Sequence, residues 1–345
     1  ITSGICYQYA KEAVQNASFL KLGMVNPLPR KLIADFASKV ETCYVVEELD
    51  PVLETQIRAM GVQVVGKEAF TLIGEYSVAL LKEKILGEKP QKAVVPEEEI
   101  PVRPPVMCPG CSHRGVFYVL SKLKLHVSGD IGCYTLGNAK PLDMVDTCLC
   151  MGADVTIAQG LHIIEPDAVN FAFIGDSTFF ASGITGVVNA VYNQTDIVLI
   201  VLDNSTTAMT GHQPHPGTGV TMMGEVAAKI SIENILRGIG LTWIETVDPL
   251  NLELAADTVK RAAKEKGVRA VIFKSPCIAV AKPGKLYEVK QESCTKCKVC
   301  ISQLGCPAII VNGGEIVVEP SLCYGCGLCS QVCPSGAIGE VESDE

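Results

Sequence analysis

The stretch from Phe171 to Asn204 constrains this chain more than any other. Phe171 to Ile174 is a short apolar run that ends in Gly175-Asp176-Ser177, and a helical pattern follows from Thr178 to Asn193. Asp196 to Leu202 is a second continuous apolar run, and it ends in Asp203-Asn204. Strand, tight turn, helix and strand in that order make a crossover in a parallel sheet. In such a sheet the two strand ends and the helix start meet at one crevice, where ligands bind. A phosphate there meets unpaired N–H groups and the positive end of the helix dipole. Asp176 and Asn204 reach the same edge with side-chain oxygens, the donors that Mg²⁺ takes together with phosphate. The plainer alternative is an ordinary crossover with an aspartate at a strand end.

The rest of the chain is organised around that crossover. Residues 1–86 alternate apolar runs (19–25, 43–46, 62–65) with helical segments near 29–40, 51–60 and 74–86, which makes a small βαβ domain. Glu47-Glu48 reads there as a solvated strand end. Residues 87–105 carry five prolines and form an extended linker. A doubly wound α/β domain spans 106–282, with a loop at 210–223, helices near 225–238 and 249–266, and strands at 241–246 and 268–274. Residues 283–345 form a separate tail of low helical content. With 48% hydrophobic residues in 345, the chain can bury more than one core. A net charge of −9 argues against nucleic acid or an anionic membrane as partner, and no run approaches the roughly 20 apolar residues of a membrane span. With no signal peptide recognised, a reducing cytoplasm is the expected compartment. Because the first residue is Ile1 and not Met, the chain is expected to be a fragment or a processed piece of a longer polypeptide.

Eight of the 16 cysteines fall in the last 52 residues. The second run there, Cys323, Cys326, Cys329 and Cys333 followed by proline, has the C-x2-C-x2-C-x3-C-P spacing of bacterial ferredoxins. The first, Cys294, Cys297, Cys300 and Cys306 followed by proline, is the same with two residues inserted. In that arrangement the fourth cysteine of each run serves the other cluster. Cys294, Cys297, Cys300 and Cys333 are therefore expected to hold one [4Fe–4S] cubane, and Cys306, Cys323, Cys326 and Cys329 a second. Zinc is the alternative for any CxxC pair, but two triple-cysteine runs each closed by Cys-Pro argue against it. A further set, Cys108, Cys111, Cys133 and Cys277, lies beside helix starts and strand ends of the central domain and can converge at one sheet edge. Cys148 and Cys150 read as core residues.

The Gly175-Asp176 turn with Asn204 28 residues beyond the Asp resembles the signature of thiamine-diphosphate enzymes. The third position of that turn, usually glycine, is Ser177 here. The resemblance implies that the carbonyl of Thr206 is the third protein ligand to Mg²⁺. CPGCSHRG, GDIGCYTLG, CMGADVTIAQG, TTAMTGHQPHPG and the ferredoxin-like tail together resemble the 2-oxoacid:ferredoxin oxidoreductases, most of all the alpha subunits that act on indolepyruvate, over the whole length. That resemblance implies two doubly wound α/β domains, the first transketolase C-terminal-like and the second thiamine-diphosphate-binding, followed by a two-cluster ferredoxin domain. It implies a third cluster on Cys108, Cys111, Cys133 and Cys277, and cofactor contacts at Cys108, Gly110, His113, Gly132, Gly175, Asp176, Ser177, Asn204 and Thr206. A preceding domain that binds the aminopyrimidine half of the cofactor, a smaller beta subunit in a hetero-oligomer, coenzyme A and an acceptor ferredoxin are also implied.

The implied reaction is oxidative decarboxylation of an arylpyruvate to an aryl-acetyl-CoA and CO₂. His212 and His215, in a stiff polar loop just after the expected metal ligands, are the candidates to touch substrate or move a proton. His126 and His162 read as satisfied structural histidines. Two other functions fit the same motifs: a non-oxidative decarboxylase that releases aldehyde, and an electron-transfer subunit with a degenerate cofactor site.

Overall fold

Parallel pairing organises the first unit and the main sheet, as alternating strands and helices require, but on two scales. The computed structural model describes residues 1–89 and 99–342, in two compact units, Ile1–Val102 and Arg103–Glu345. In the first unit, helices α1 (Cys6–Ala13), α2 (Arg30–Ala37), α3 (Val52–Ala59) and α4 (Val78–Leu81), the last continued by a π turn, pack around single parallel bridges. Thr2 pairs with Lys21 and Val46, and Tyr44 pairs with Val65. The expected strands therefore lie side by side but shorten to bridges, and α1 was not expected. Glu47 differs from its reading as a solvated strand end. It is buried, and its carboxylate accepts from the N–H groups of Leu53 (2.8 Å) and Glu54 (2.9 Å), two of the unpaired donors at the start of α3. Nearly half of the expected linker, residues 90–98, lies outside the described residues.

The second unit holds the main sheet. Its elements are α5 (His113–Leu123), β1 (Val127–Gly129), β2 (Thr147–Cys148), α6 (Ala153–Ile164), β3 (Asn170–Gly175) and α7 (Asp176–Thr178). A π turn at Phe179–Gly183, α8 (Ile184–Tyr192), β4 (Ile197–Asp203), α9 (Ile232–Ile239), β5 (Ile244–Val247), α10 (Leu252–Lys264) and β6 (Val268–Lys274) follow. The strand order is β2-β1-β3-β4-β6-β5 and every pairing is parallel. The chain leaves β1 toward one side and β3 toward the other, so the switch point lies between their carboxyl ends.

Strict alternation feeds two cores. Phe171, Phe173, Val198, Ile200, Leu202, Val271 and Phe273 face one side, with α5 and α10. Ala172, Ile174, Ile197, Leu199, Val201, Ala270 and Ile272 face the other, with α6, α8 and α9. Strands buried on both faces read as continuous apolar runs, which is why β3, β4 and β6 were legible. Helix α9 starts later than expected, at Ile232 with Ser231 as its cap, because a Gly-rich hairpin with a Val220–Val226 bridge occupies the preceding residues.

The tail adds two antiparallel ladders, β8 (Ile309–Asn312) with β9 (Glu315–Val318), and β7 (Tyr287–Val289) with β10 (Ile338–Glu340). Helix α11 (Leu328–Val332) lies between the ladder segments in sequence. The tail belongs to the same compact unit as the main sheet: Leu304, Ile309, Ile316, Leu328 and Val332 join the core that contains Val116 and Phe117 of α5. Gln331 adds bonds to the Leu250 carbonyl and the Leu252 N–H. Among the described residues no helix is long and apolar enough to cross a membrane.

Candidate functional site

Asp176 follows β3 directly and is 3% exposed. Its Oδ1 accepts from the N–H of Ser177 at 2.8 Å, and its Oδ2 accepts from the N–H of Ser205 at 2.8 Å and faces Nε2 of His215 at 3.1 Å. Burial pushes this carboxyl above the usual range; His215 pulls it back and nearby Asp203 adds to the rise. Asn204 follows β4. Its Oδ1 accepts from the Thr206 N–H at 3.2 Å, and its Nδ2 lies 3.3 Å from Nε2 of His113. His113 opens α5, and burial lowers it to about 4, so at neutral pH the ring is uncharged and one nitrogen can accept. The hydroxyl of Thr207 donates to Ser177 Oγ at 2.8 Å.

Of these groups, His113, Asp176, Ser177, Asn204, Thr206 and Thr207 line one cleft of about 540 Å³, open space included, together with Gly132 and Cys133; His215 lines a different cavity. Tyr134 shapes it. A Cβ at Gly132 would stand 2.6 Å from the Tyr134 ring, and one at Gly175 would stand 2.5 Å from it. The phenol donates to Asp130 Oδ2 at 2.6 Å, and Asp130, fully buried after β1, also accepts from the Gly152 N–H at 3.0 Å. Asp154, at the start of α6, is fully buried with neither carboxyl oxygen bonded. Burial first, then Asp130, raises it well above the usual carboxylate range. Sequence reasoning missed Asp130, Tyr134 and Asp154. Gly129-Asp130 closes an apolar run just as Gly175-Asp176 does, and that repeat was the available signal.

The two loop histidines separate. His215 is buried against the Phe180 ring, accepts from the Gly217 N–H at Nδ1 (3.2 Å), and so presents its ring N–H at Nε2 to Asp176. His212 is exposed with a φ of 63°. His126 has a side chain 93% exposed, 3.6 Å from Asp146, and Nδ1 of His162 is buried without a partner; neither matches a satisfied structural histidine.

The cysteines gather as three neighbourhoods. Cys306, Cys323, Cys326 and Cys329 line one small cavity, and Cys294, Cys297, Cys300 and Cys333 another. Burial and the three other thiols of its set push Cys329 up to about 12. Cys111 is likewise pushed to about 12, by burial first, with Cys108 and Cys133 within electrostatic reach, and Cys133 in turn feels Cys277. Cys133 also lines the cleft of Asp176, and the Cys277 N–H donates to the Asn204 carbonyl at 2.9 Å. Cys148 and Cys150 are exposed rather than core, because β2 is an edge strand. Among the described residues no three His, Cys, Asp or Glu side chains close on a point that would hold a single ion.

Residues 130–273 match the family of the thiamine pyrophosphate enzyme C-terminal TPP binding domain, and residues 316–339 match the 4Fe-4S binding domain. The chain thus joins a thiamine-diphosphate-enzyme domain to an iron–sulfur domain. It is 41% identical over 374 residues to indolepyruvate oxidoreductase subunit IorA of Archaeoglobus fulgidus, a match covering 100% of this chain and 60% of that relative. The IorA subunit of Methanothermobacter thermautotrophicus is 40% identical over 364 residues (98% and 59%), and that of Pyrococcus horikoshii 36% over 393 (100% and 60%). The chain is similar to these IorA subunits along its whole length and spans about 60% of theirs.

Proposed function

We propose that this chain carries the diphosphate-and-metal half of a thiamine-diphosphate site and the iron–sulfur wiring of an indolepyruvate-type 2-oxoacid:ferredoxin oxidoreductase. The observation that carries the reading is the convergence of Asp176, Asn204 and Cys133 on one cleft inside a TPP-binding domain. Asp176, the Asn204 amide oxygen and the Thr206 carbonyl form an all-oxygen set that fits Mg²⁺. The buried carboxyl, short of charge compensation beyond His215, fits a cation as well. Ser177 and the helix start behind it suit the diphosphate. When bound, thiamine diphosphate supplies the carbanion chemistry that lets a 2-oxoacid lose CO₂.

This chain's own residues hold and orient. His215, fixed by Gly217 at one ring nitrogen, donates to Asp176 and keeps its carboxylate turned to the metal position. His113 accepts from the Asn204 amide N–H and so fixes the amide with its oxygen turned away, where it also accepts from the Thr206 N–H. Tyr134 and the two glycines set the cleft wall. His212, exposed in the loop, is the group available to meet a substrate entering from solvent. The eight tail cysteines would hold two cubanes, and Cys108, Cys111, Cys133 and Cys277 a third, supplying one-electron transfer toward a ferredoxin; a partner subunit would complete the complex, and coenzyme A would take the acyl group. The test is an assay of the complex with indolepyruvate, phenylpyruvate and pyruvate, coenzyme A and ferredoxin. An aryl preference of about tenfold or more in kcat/KM is expected, since an aromatic pocket discriminates by at least that much. Aldehyde release without ferredoxin reduction would overturn the reading.

A further inference from the structure

Arg114 stands on α5 three residues after Cys111 and is 3% exposed. Its Nη2 donates to the carbonyls of Met107 (2.6 Å) and Cys108 (3.3 Å), and its Nη1 to those of Leu304 (3.0 Å) and Gly305 (2.8 Å). The first pair belongs to the loop of Cys108 and Cys111, and the second leads into Cys306. Among the described residues no carboxylate is a partner, and its Nε is buried with none. A buried cation without a counter-charge is costly, so this one needs negative charge that the amino-acid partners do not supply. Its neighbours are thiols. Arg114 lines the cavity of Cys306, Cys323, Cys326 and Cys329, and its charge acts on Cys111 and on Cys326, members of two different sets. Tyr324 adds a second tie. A Cβ at Gly110 would lie 2.4 Å from that of Tyr324, and the Tyr324 hydroxyl donates to the carbonyl of Ile278, the residue after Cys277, at 2.7 Å.

We propose that Arg114 is the counter-charge of the cluster on Cys306, Cys323, Cys326 and Cys329, and that it holds this inner cluster against the Cys108 loop and favours its reduced form. The inference rests on the cluster assignments of the proposed function. Reduction adds one electron, and one unit of negative charge, to the inner cluster; the electron comes from the 2-oxoacid being oxidised, and no bond of the chain is made or broken. A fixed positive charge in a low-dielectric wall favours that added charge strongly. The outer cavity of Cys294, Cys297, Cys300 and Cys333 has only Lys298 as a cation in its wall, and Lys298 is exposed, where solvent and salt weaken its field.

The test is an EPR-monitored redox titration, with iron analysis, of the complex carrying wild-type chain, Arg114→Lys or Arg114→Gln, the inner signal being assigned in a Cys294→Ser background. Arg114→Gln is expected to weaken reduction of the inner cluster at least tenfold, about 59 mV for one electron, and to leave the outer cluster unchanged. Arg114→Lys, which keeps the charge, should stay near wild type. An unchanged inner potential in Arg114→Gln, or equal shifts in both variants, overturns the proposal. Should Arg114→Gln fail to hold iron, the wild type decides: the inner cluster must reduce at the higher potential, and equal or inverted potentials overturn the role of Arg114. A wild-type complex with no cubane signal at all would overturn the proposed function instead.

Discussion

At the sheet edge, Asp176 and Asn204 are placed by backbone register. Strands β3 and β4 pair from Asn170 opposite Ile197 to Gly175 opposite Leu202, and both strands are buried along their whole length. Each apolar side chain buried there contributes about 1.5–3 kcal/mol, so the two ligands arrive together whether or not anything binds. In the tail, the eight thiols sit in segments joined by two short antiparallel ladders, and the apolar side chains between them are scattered singly rather than in continuous buried strands. One site is prepared by the fold; for the other, a metal would add to the folding energy when bound.

Removing iron from the tail is the largest expected effect. Cys329→Ala should cost about four irons per chain and open residues 287–340 to protease while the main sheet keeps its thermal transition. A tail as protease-resistant without iron as with it would erase the contrast. Asp176→Ala should do the reverse. Affinity for thiamine diphosphate with Mg²⁺, read by calorimetry, is expected to fall by more than about 100-fold, beyond the 10–100-fold typical of groups that only support a ligand. Its Tm should hold or rise, because a desolvated carboxyl is lost. A drop in Tm with affinity retained would mean Asp176 is structural.

His215→Gln should weaken the same affinity about tenfold, and an unchanged affinity would detach His215 from the site. The smallest effect concerns Asp154. Its folded pKa is raised, so the folded state binds the extra proton and stability falls as pH rises from the unfolded carboxylate pKa toward the folded one. Asp154→Asn should flatten that slope and gain about 1 kcal/mol near neutral pH, read from denaturant melts at several pH values. A slope equal to wild type would mean that Asp154 is ionised in the fold.

The same division explains what could be read from sequence. Buried parallel strands and their turn residues leave a one-dimensional trace, so β3, β4 and β6 and the ligands at the first two ends were visible. Cysteine spacing traced the tail sets because each run is local. The missed groups act across distant segments. Asp130 bonds Tyr134 and the Gly152 N–H, and Arg114 joins loops some 190 residues apart. Glu47 misled because a carboxylate at a strand end looks solvated until the following helix folds back onto it. The tail read as separate because its composition changes at residue 283, whereas its attachment depends on apolar residues scattered singly between cysteines.

Tyr134 fills with one ring the space that two side chains would take at positions 132 and 175. Those three positions are therefore a single heritable unit: neither glycine can accept a larger residue while the ring stands, and shrinking the ring releases both at once. The same change would strip Asp130 of its phenol donor. Anyone enlarging the cleft for a bulkier ligand by trimming Tyr134 would also be altering the charge balance behind Gly175. Redesign here has to move in threes, with Asp130 as the fourth term.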